Sequence, residues 1–251
     1  MGLSSMAMSV RIQGVPTEDF DADVASVAAL GEPVRRTLYR YVVSQRAPIG
    51  REEAAAGVGV AHHTAKFHLD KLVEDGLLDV EYRRPPGRTG PGAGRPAKLY
   101  RRADREIAVS LPERRYDLAG RVMAEAIIEA QRAGAPVDET LTEAARSAGR
   151  EIGEQARSRL GAHGSQDEAL LAVGEVLAEL GYEPRLRAGC LTLGNCPFHS
   201  LAQRYRDLVC QMNLDLIDGV LDGLEPASLH ATLDPSADCC CVVVASDAGD
   251  G

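Results

Sequence analysis

The sequence predicts a mainly helical α+β protein, and three observations lead to this fold class. Apolar residues recur at helical spacing over most of the 251-residue chain, with short alternating segments between them. Glycines and prolines divide the first 111 residues into short helices and a hairpin, whereas longer amphipathic helices follow. The last part, from residue 181, reads strand–strand–helix–helix–strand–strand, which is typical of a small α+β domain.

The first residues predict an arm and two helices. Residues 1–20 lack periodicity and are expected to form a flexible arm. A short helix follows over residues 21–30, with Val24 and Val27 on its apolar side. The next helix begins at Glu32 and has proline in its first turn, where the missing backbone N–H is tolerated. Its apolar stripe is expected to pack across the helices that come next.

Residues 48–76 predict two short helices joined by a tight turn. The first covers residues 51–58, and Gly57-Val58-Gly59 makes the turn because glycine accepts backbone angles that other residues avoid. The second covers residues 61–75, and Gly76 ends it. A helix that enters a DNA major groove needs non-acidic donors at its start. The outward-facing residues there are His62, His63, Thr64, Lys66 and Phe67.

A β-hairpin with an arginine-rich tip is predicted after this helix. Residues 77–82 alternate as a strand, and a second strand covers residues 97–101. Arginine suits phosphate because its charge is permanent and bidentate. The alternative is a solvated loop without a partner. The cations of the hairpin that we expect to contact DNA are Arg83, Arg84, Arg88, Arg95 and Lys98.

Charge is distributed unevenly along the chain. The whole protein carries a formal charge of −9, but residues 31–105 contain 15 basic and 9 acidic side chains, which makes this block +6. A basic module within an acidic chain is typical of an electrostatic surface for nucleic acid that is confined to one region.

Two sequence runs in this block resemble a known family. The run HHTAKFHLDKLVEDGLL and the later run GRPAKLYRR resemble the winged helix-turn-helix domain of ArsR-like bacterial repressors. In that pattern a His-Leu pair, here His68-Leu69, lies in the middle of a helix that ends at a Gly-Leu step into the wing. The resemblance implies that residues 21–111 form a DNA-binding domain and that the partner is an operator in double-stranded DNA.

Pro112 marks the expected domain boundary, and three long amphipathic helices follow. They cover residues 116–132, 138–160 and 165–180. Such helices beside a winged domain commonly form a dimer interface, and two-fold DNA sites are matched by two-fold proteins. We therefore expect a helical dimerisation region and a homodimer. The alternative is that these helices pack only within their own domain.

All six cysteines lie after residue 189, as Cys190, Cys196, Cys210 and the triplet Cys239-Cys240-Cys241. Their spacing is not that of a zinc finger, but ligands on a loop, a helix and a hairpin can converge. Cys196 lies in a Cys-Pro step at a helix start, which stabilises a thiolate. If the triplet is in a strand, its middle member faces away from the other two. Free cysteines are also common core residues, which is the alternative.

The segment NCPFHSLAQRYRDLVCQMNLDLIDGVL, with the later cysteine-rich hairpin, resembles the sensor domain of SufR-type repressors, which govern iron–sulfur cluster assembly genes. This resemblance implies a homodimeric repressor that holds a [4Fe-4S] cluster. It makes residues 112–245 the dimerisation and sensor domain and residues 246–251 a flexible tail. The implied metal ligands are Cys196, Cys210 and Cys240, with Cys190, His199 or Glu183 as the fourth.

Other functions compete with this interpretation. The same thiols could serve a repressor that responds to zinc or another soft metal, or a metal-free redox switch. Cys196 and His199 could form a nucleophile–base pair, but no orienting acid accompanies them, so we expect no enzyme activity. No apolar run approaches the ~20 residues that cross a bilayer, and no secretion signal is evident, so we expect a cytoplasmic protein.

Overall fold

The predicted mainly helical α+β fold is confirmed, with 61% of the described residues helical and the strands in small antiparallel sheets. The chain divides into an N-terminal unit, Pro16–Val109, and a C-terminal unit formed by Met1–Val15 and Ser110–Gly251. The sequence placed its boundary between residues 111 and 112. The structure, a computed structural model, describes residues 10–11, 18–83, 96–160, 165–187, 189–225, 229–234 and 240–246.

The elements alternate between short helices and strands in the N-terminal unit and include longer helices in the C-terminal unit. In chain order they are β1 (Val10–Arg11), α1 (Glu18–Ala29), α2 (Pro33–Ser44), β2 (Ile49–Gly50), α3 (Arg51–Val58), α4 (His62–Glu74), β3 (Leu78–Arg83), β4 (Ala97–Arg102), α5 (Tyr116–Ala133), α6 (Val137–Leu160), α7 (Gln166–Glu179), β5 (Pro184–Arg187), β6 (Cys190–Leu193), α8 (His199–Arg204), α9 (Arg206–Leu224), β7 (Leu229–Leu233) and β8 (Val242–Ser246).

The N-terminal unit packs α2, α3 and α4 against a three-stranded antiparallel sheet with strand order β2-β4-β3. Glu32 caps α2 because its carboxylate accepts hydrogen bonds from the backbone N–H groups of Val34 and Arg35, at 3.1 and 2.6 Å. Gly59 and Gly76 follow α3 and α4 with φ of +74° and +70°, the left-handed conformation that glycine adopts without strain. The fully buried side chains of this core include Leu38, Leu69, Leu72, Leu78 and Tyr100.

Two sequence-based assignments in this unit are wrong. Gly57 lies inside α3 and not in the turn. A Cβ at this position would overlap the ring of Tyr41, so glycine is needed where α2 packs against α3. Val24 and Val27 of α1 are 40% and 49% exposed. The buried residues of α1 are small instead, and the side chain of Ser26 donates a 2.6 Å hydrogen bond to the carbonyl oxygen of Asp75.

The C-terminal unit packs its helices on a five-stranded antiparallel sheet with strand order β1-β5-β6-β8-β7. The observed order β5-β6-α8-α9-β7-β8 is the predicted one. Val10–Arg11 pairs with β5, so the expected flexible arm does not extend over all of residues 1–20. Ser246, expected in the tail, pairs with Leu229 in the sheet. No helix in the described ranges is long and apolar enough to cross a bilayer.

Helices α6 and α9 cross at backbone contact. Gly149 of α6 faces α9, where a Cβ would overlap the carbonyl oxygen of Leu216, and Gly219 of α9 faces the carbonyl oxygen of Arg146 in the same way. Asp215 stays buried beside this crossing because Thr142 donates to its carboxylate at 2.9 Å. These faces therefore pack within the chain, which is the alternative that the sequence left open for them.

Candidate nucleic-acid interface and thiol site

The outward face at the start of α4 carries the predicted DNA contacts. His62, His63, Lys66 and Phe67 are exposed, and Thr64 is half-buried. The ring of Phe67 remains 64% exposed, although it touches His68 edge to face. The opposite face of α4 is fully buried, so the orientation of the helix is determined by its own apolar stripe.

The two predicted hairpin contacts that the structure describes, Arg83 and Lys98, are both paired. Arg83 donates to the carboxylate of Glu81 at 2.6 Å. Lys98 donates to Asp70 of α4 at 2.5 Å, and the hydroxyl of Tyr100 donates to the same oxygen at 2.9 Å. Lys98 therefore joins β4 to α4, and its contact with phosphate stays a prediction. The predicted contacts Arg84, Arg88 and Arg95 lie outside the described residues.

The carboxylate of Asp70 is tuned by these two donors. Partial burial works against its ionisation, but the hydrogen bonds from Lys98 and Tyr100 outweigh that penalty and hold the pKa of Asp70 below its ordinary value. Burial, together with the hydrogen bond to Asp70, raises the pKa of Tyr100, so its hydroxyl stays a donor. This pair of donors makes the ionised form of Asp70 part of the folded unit.

Four thiols from three distant segments form one row in the C-terminal unit. Cys196 lies in the loop after β6, Cys210 on α9, and Cys240 and Cys241 directly before β8. The side chains of Cys196 and Cys240 share a hydrogen bond, as do those of Cys240 and Cys241 and those of Cys241 and Cys210. We call this set the thiol row.

The thiols of the row differ in how readily they ionise. The hydrogen bond with Cys240 lowers the pKa of Cys196, and the N–H of Phe198 adds to this effect against the opposing effect of burial. The same Cys196 contact raises the pKa of Cys240 to about 12. Burial and the contact with Cys241 raise the pKa of Cys210 to about 12. Cys196 is therefore the first of these thiols to become a thiolate. The main cause of its lowered pKa is a neighbouring thiol and not the helix start.

The structure places Cys190, one of the candidates for the fourth ligand, outside the thiol row. Cys190 pairs with Ala245 within the sheet, and its pKa is raised by burial and by the charge of Asp234, not by another thiol. Cys241 takes its place in the row. Of the other candidates for a fourth ligand, His199 is exposed and Glu183 lies 3.9 Å from an arginine, Arg185.

The triplet was expected in a strand, with Cys240 facing away from Cys241. β8 begins only at Val242, and the chain bends at Cys241. The backbone N–H of Cys240 donates to the carbonyl oxygen of Leu193 at 2.9 Å, while the carbonyl oxygen of Cys241 accepts from Asp234 at 2.7 Å. Because this segment is not a strand, its side chains do not alternate, and both thiols join the row. Cys239 lies outside the described residues.

Two buried polar side chains form a hydrogen-bonded chain that ends at Cys240 of the thiol row. The side-chain amide of Asn213 on α9 donates to the sulfur of Cys240 at 3.1 Å, and the hydroxyl of Tyr182 donates to the amide oxygen of Asn213. The pKa of Tyr182 is raised well above its ordinary value, first by burial and then by the nearby thiols. Sequence reasoning missed both residues, although an asparagine within the apolar stripe of α9 was a usable signal.

The thiol row has the donor type of a soft-metal site but not the geometry of a single-ion site. In the part of the chain that the structure describes, no three His, Cys, Asp or Glu side chains are placed to hold one metal ion. A single zinc ion needs about four ligands at roughly 2.0–2.3 Å. A cluster is larger and takes thiolates that stand further apart, so its requirement differs.

The N-terminal unit defines the class of the protein. Two helices at a tight turn, followed by an antiparallel hairpin, form a winged helix-turn-helix, a fold of DNA-binding regulators. A family model described as a helix-turn-helix domain matches residues 30–81. The match supports a DNA-binding regulator of transcription and confirms that part of the sequence-based resemblance.

The remaining comparisons add no family. No curated protein matches the chain. Among solved structures, the chain is similar to human N-acetylserotonin methyltransferase in complex with SAM, at 19% identity and a TM-score of 0.21. The match covers 66% of this chain and 48% of that enzyme, about half of its length. A TM-score this low carries no argument about the activity of this chain, and the expectation that catalysis is absent is withdrawn.

Proposed function

We propose that the chain is a homodimeric transcriptional repressor whose operator binding is controlled by an iron–sulfur cluster of the SufR type, held by the thiol row. The observation that carries this proposal is the convergence of Cys196, Cys210, Cys240 and Cys241 in a chain that also has a winged helix-turn-helix. The targets would include genes for iron–sulfur cluster assembly, as the sequence resemblance implies.

The residues of the row fit such a group by donor chemistry. Iron–sulfur clusters are held by cysteine thiolates, and hydrogen bonds to the sulfurs together with exposure tune their potential. Cys240 is buried and accepts a hydrogen bond from Asn213, while Cys196, Cys210 and Cys241 are partly accessible. When bound, the cluster supplies a redox-sensitive link between the three segments.

The protonation of the thiols would make metal binding by the row depend on pH. Thiols must lose their protons to act as ligands, so metal binding releases protons and depends on pH. Three of the four thiols have raised pKa values and stay protonated when no cation is near. The row is therefore held together by weak thiol hydrogen bonds in one state and by ligand bonds in the other, which makes a two-state element.

The DNA-reading half follows from the exposed face of α4. A two-fold dimer places two such helices in successive major grooves, about 34 Å apart. His62, His63, Thr64 and Phe67 would face base edges, and Lys66 would contact the phosphate backbone. Arg83 with the cations of the hairpin tip would follow the backbone beside the groove.

A metal analysis tests the proposal. Protein isolated without oxygen is expected to contain iron and acid-labile sulfide and to absorb visible light, and the absorption should bleach in air. Zinc without iron would favour the soft-metal alternative and contradict the proposal. Metal-free protein that forms a reversible disulfide would favour the redox switch, which the contact between Cys196 and Cys240 makes the second candidate.

Replacing Lys66 by alanine is expected to weaken binding to all DNA sequences and to reduce the salt dependence of binding by about one counterion, because one phosphate contact is lost. The measurement is the slope of log affinity against log salt. Lys71→Ala is the matched control on the same helix, since Lys71 lies at its other end and pairs with Glu74 and Asp75 at 3.3 and 3.1 Å. Equal slopes for both variants would contradict the phosphate role of Lys66.

A further inference from the structure

The loop that carries Cys196 is bound to the segment that leads out of the C-terminal unit. This connecting segment, residues 113–116, begins a few residues after the division between the units at Val109 and Ser110. The guanidinium of Arg114 donates from one nitrogen to the side-chain oxygen of Asn195 at 2.6 Å and to the carbonyl oxygen of Cys196 at 3.1 Å.

Further hydrogen bonds join the same two segments. The side-chain amide of Asn195 donates to the carbonyl oxygen of Glu113 at 3.2 Å. The backbone N–H of Arg115 donates to the carbonyl oxygen of Pro197 at 3.2 Å, and the N–H of Ser200 reaches the hydroxyl of Tyr116 at 3.4 Å. The connecting segment is thus attached at several points to the loop that precedes α8 and to the first turn of that helix.

Asn195 is the centre of this network. It is 8% exposed, and its amide also donates to the carbonyl oxygen of Gly181 at 2.6 Å, so each end of the amide has a partner. A buried amide with satisfied donors and acceptor holds one orientation, because every rotation leaves polar groups unpaired. The loop therefore presents its contacts to Arg114 in one geometry.

The other end of the linking chain is held by the N-terminal unit. The backbone N–H of Ala108 donates to the carboxylate of Asp23 on α1 at 3.2 Å, and Arg105 pairs with the same carboxylate. Only residues 109–113 lie between this anchor and Arg114. Since a residue spans at most ~3.3–3.6 Å, the two anchors are joined by a short stretch of chain.

We propose that the contact of Arg114 with Asn195 and Cys196 couples the thiol row to the DNA-binding unit. This inference rests on the proposed function and says how the state of the thiol row would affect the DNA-binding unit. Cys196 offers its thiol to the row and its carbonyl oxygen to Arg114, so a change in the ligation of the thiol changes the anchor of the connecting segment. The residue that transmits this change is a positioning residue and binds neither metal nor DNA.

The magnitude of the effect follows from hydrogen-bond geometry and linkage. An N–H···O bond weakens quickly beyond ~3.2 Å, so a displacement of the loop by about 1 Å is enough to break the contact with Arg114. Coupling between two sites typically changes affinity by about 5–150-fold. The wild-type protein is therefore expected to differ by that factor in operator affinity between its two states.

The experiment compares full-length wild type with Arg114→Gln. Each protein is measured metal-free and after anaerobic reconstitution with ferrous iron and sulfide, and the ratio of the two operator affinities is the readout. For Arg114→Gln the ratio is expected to fall towards one, while iron content and visible spectrum match those of the wild type. Arg114→Lys, which keeps the charge but not the planar guanidinium, should retain part of the ratio.

The controls separate the possible failures. Arg121→Gln makes the same change at an exposed arginine on α5 and should keep the wild-type ratio. A wild type that takes up no iron overturns the proposed function and this inference together. If the wild type and Arg114→Gln show the same change in operator affinity between the two states, only the coupling is overturned. If Arg114→Gln does not fold, the ratio of Arg114→Lys decides, and an undiminished ratio there counts against the coupling.

Discussion

Gly219→Ala is expected to destabilise the C-terminal unit by at least about 2 kcal/mol, because overpacking a tight contact forces backbone to move. A Cβ at Gly219 would overlap the carbonyl oxygen of Arg146 and lie 2.9 Å from its Cα, and neither atom is the end of a flexible side chain. The helices α6 and α9 must separate to admit the methyl group. The measurement is the free energy of unfolding from denaturant titration.

Gly120→Ala is the matched control for this prediction. Gly120 lies in α5, is exposed, and a Cβ there meets no atom within 4 Å. Alanine favours a helix over glycine by about 1 kcal/mol, so this variant is expected to be slightly more stable than the wild type. Changes of opposite sign in the free energy of unfolding for the two variants would establish that the helix crossing, and not helix propensity, requires glycine at position 219. A neutral Gly219→Ala would show that the helices do not meet as closely as described.

Cys241→Ser is expected to reduce the iron and sulfide content of anaerobically isolated protein at least tenfold, because it removes one of four thiolates and serine does not supply a soft ligand. Cys241 lies between Cys240 and Cys210 in the row, so its loss also separates the remaining thiols. Iron and sulfide analysis with the visible spectrum measures the effect.

Cys190→Ser is the control that separates the structural set of thiols from the set expected from the sequence. Cys190 lies on β6, outside the row, so this variant is expected to keep full iron content. The reverse result, with Cys190 required and Cys241 dispensable, would restore the ligand set that the sequence resemblance implied. If both variants keep their iron, neither Cys241 nor Cys190 is a required ligand, which contradicts the proposed ligand set.

Local signals explain why many elements were predictable from the sequence. The first helix of the helix-turn-helix was predicted over residues 51–58 and is observed as Arg51–Val58. Glycines after α3 and α4, and the capping box formed by Ser165 with Glu168 at the start of α7, end or begin helices through contacts within a few residues. Such signals do not depend on the rest of the chain.

The errors occur where a distant segment decides. Gly57 was assigned to a turn because glycine permits one, whereas its role is set by the ring of Tyr41. The valines of α1 were placed inside because apolar residues usually are, whereas smaller residues of that helix fit the available space. Cys241 was placed on the opposite side from Cys240 because a strand was assumed where the chain bends.

The sequence by itself determined the helix-turn-helix, its exposed basic and aromatic face, and the concentration of cysteines in the last part of the chain, because periodicity, glycine positions and composition are local properties. Only the tertiary structure decided which thiols stand together, that Asn213 and Tyr182 support them, and that Arg114 contacts the loop of Cys196. These facts depend on the order of the strands, which sets β6 beside β8 and brings together residues that are far apart in the chain.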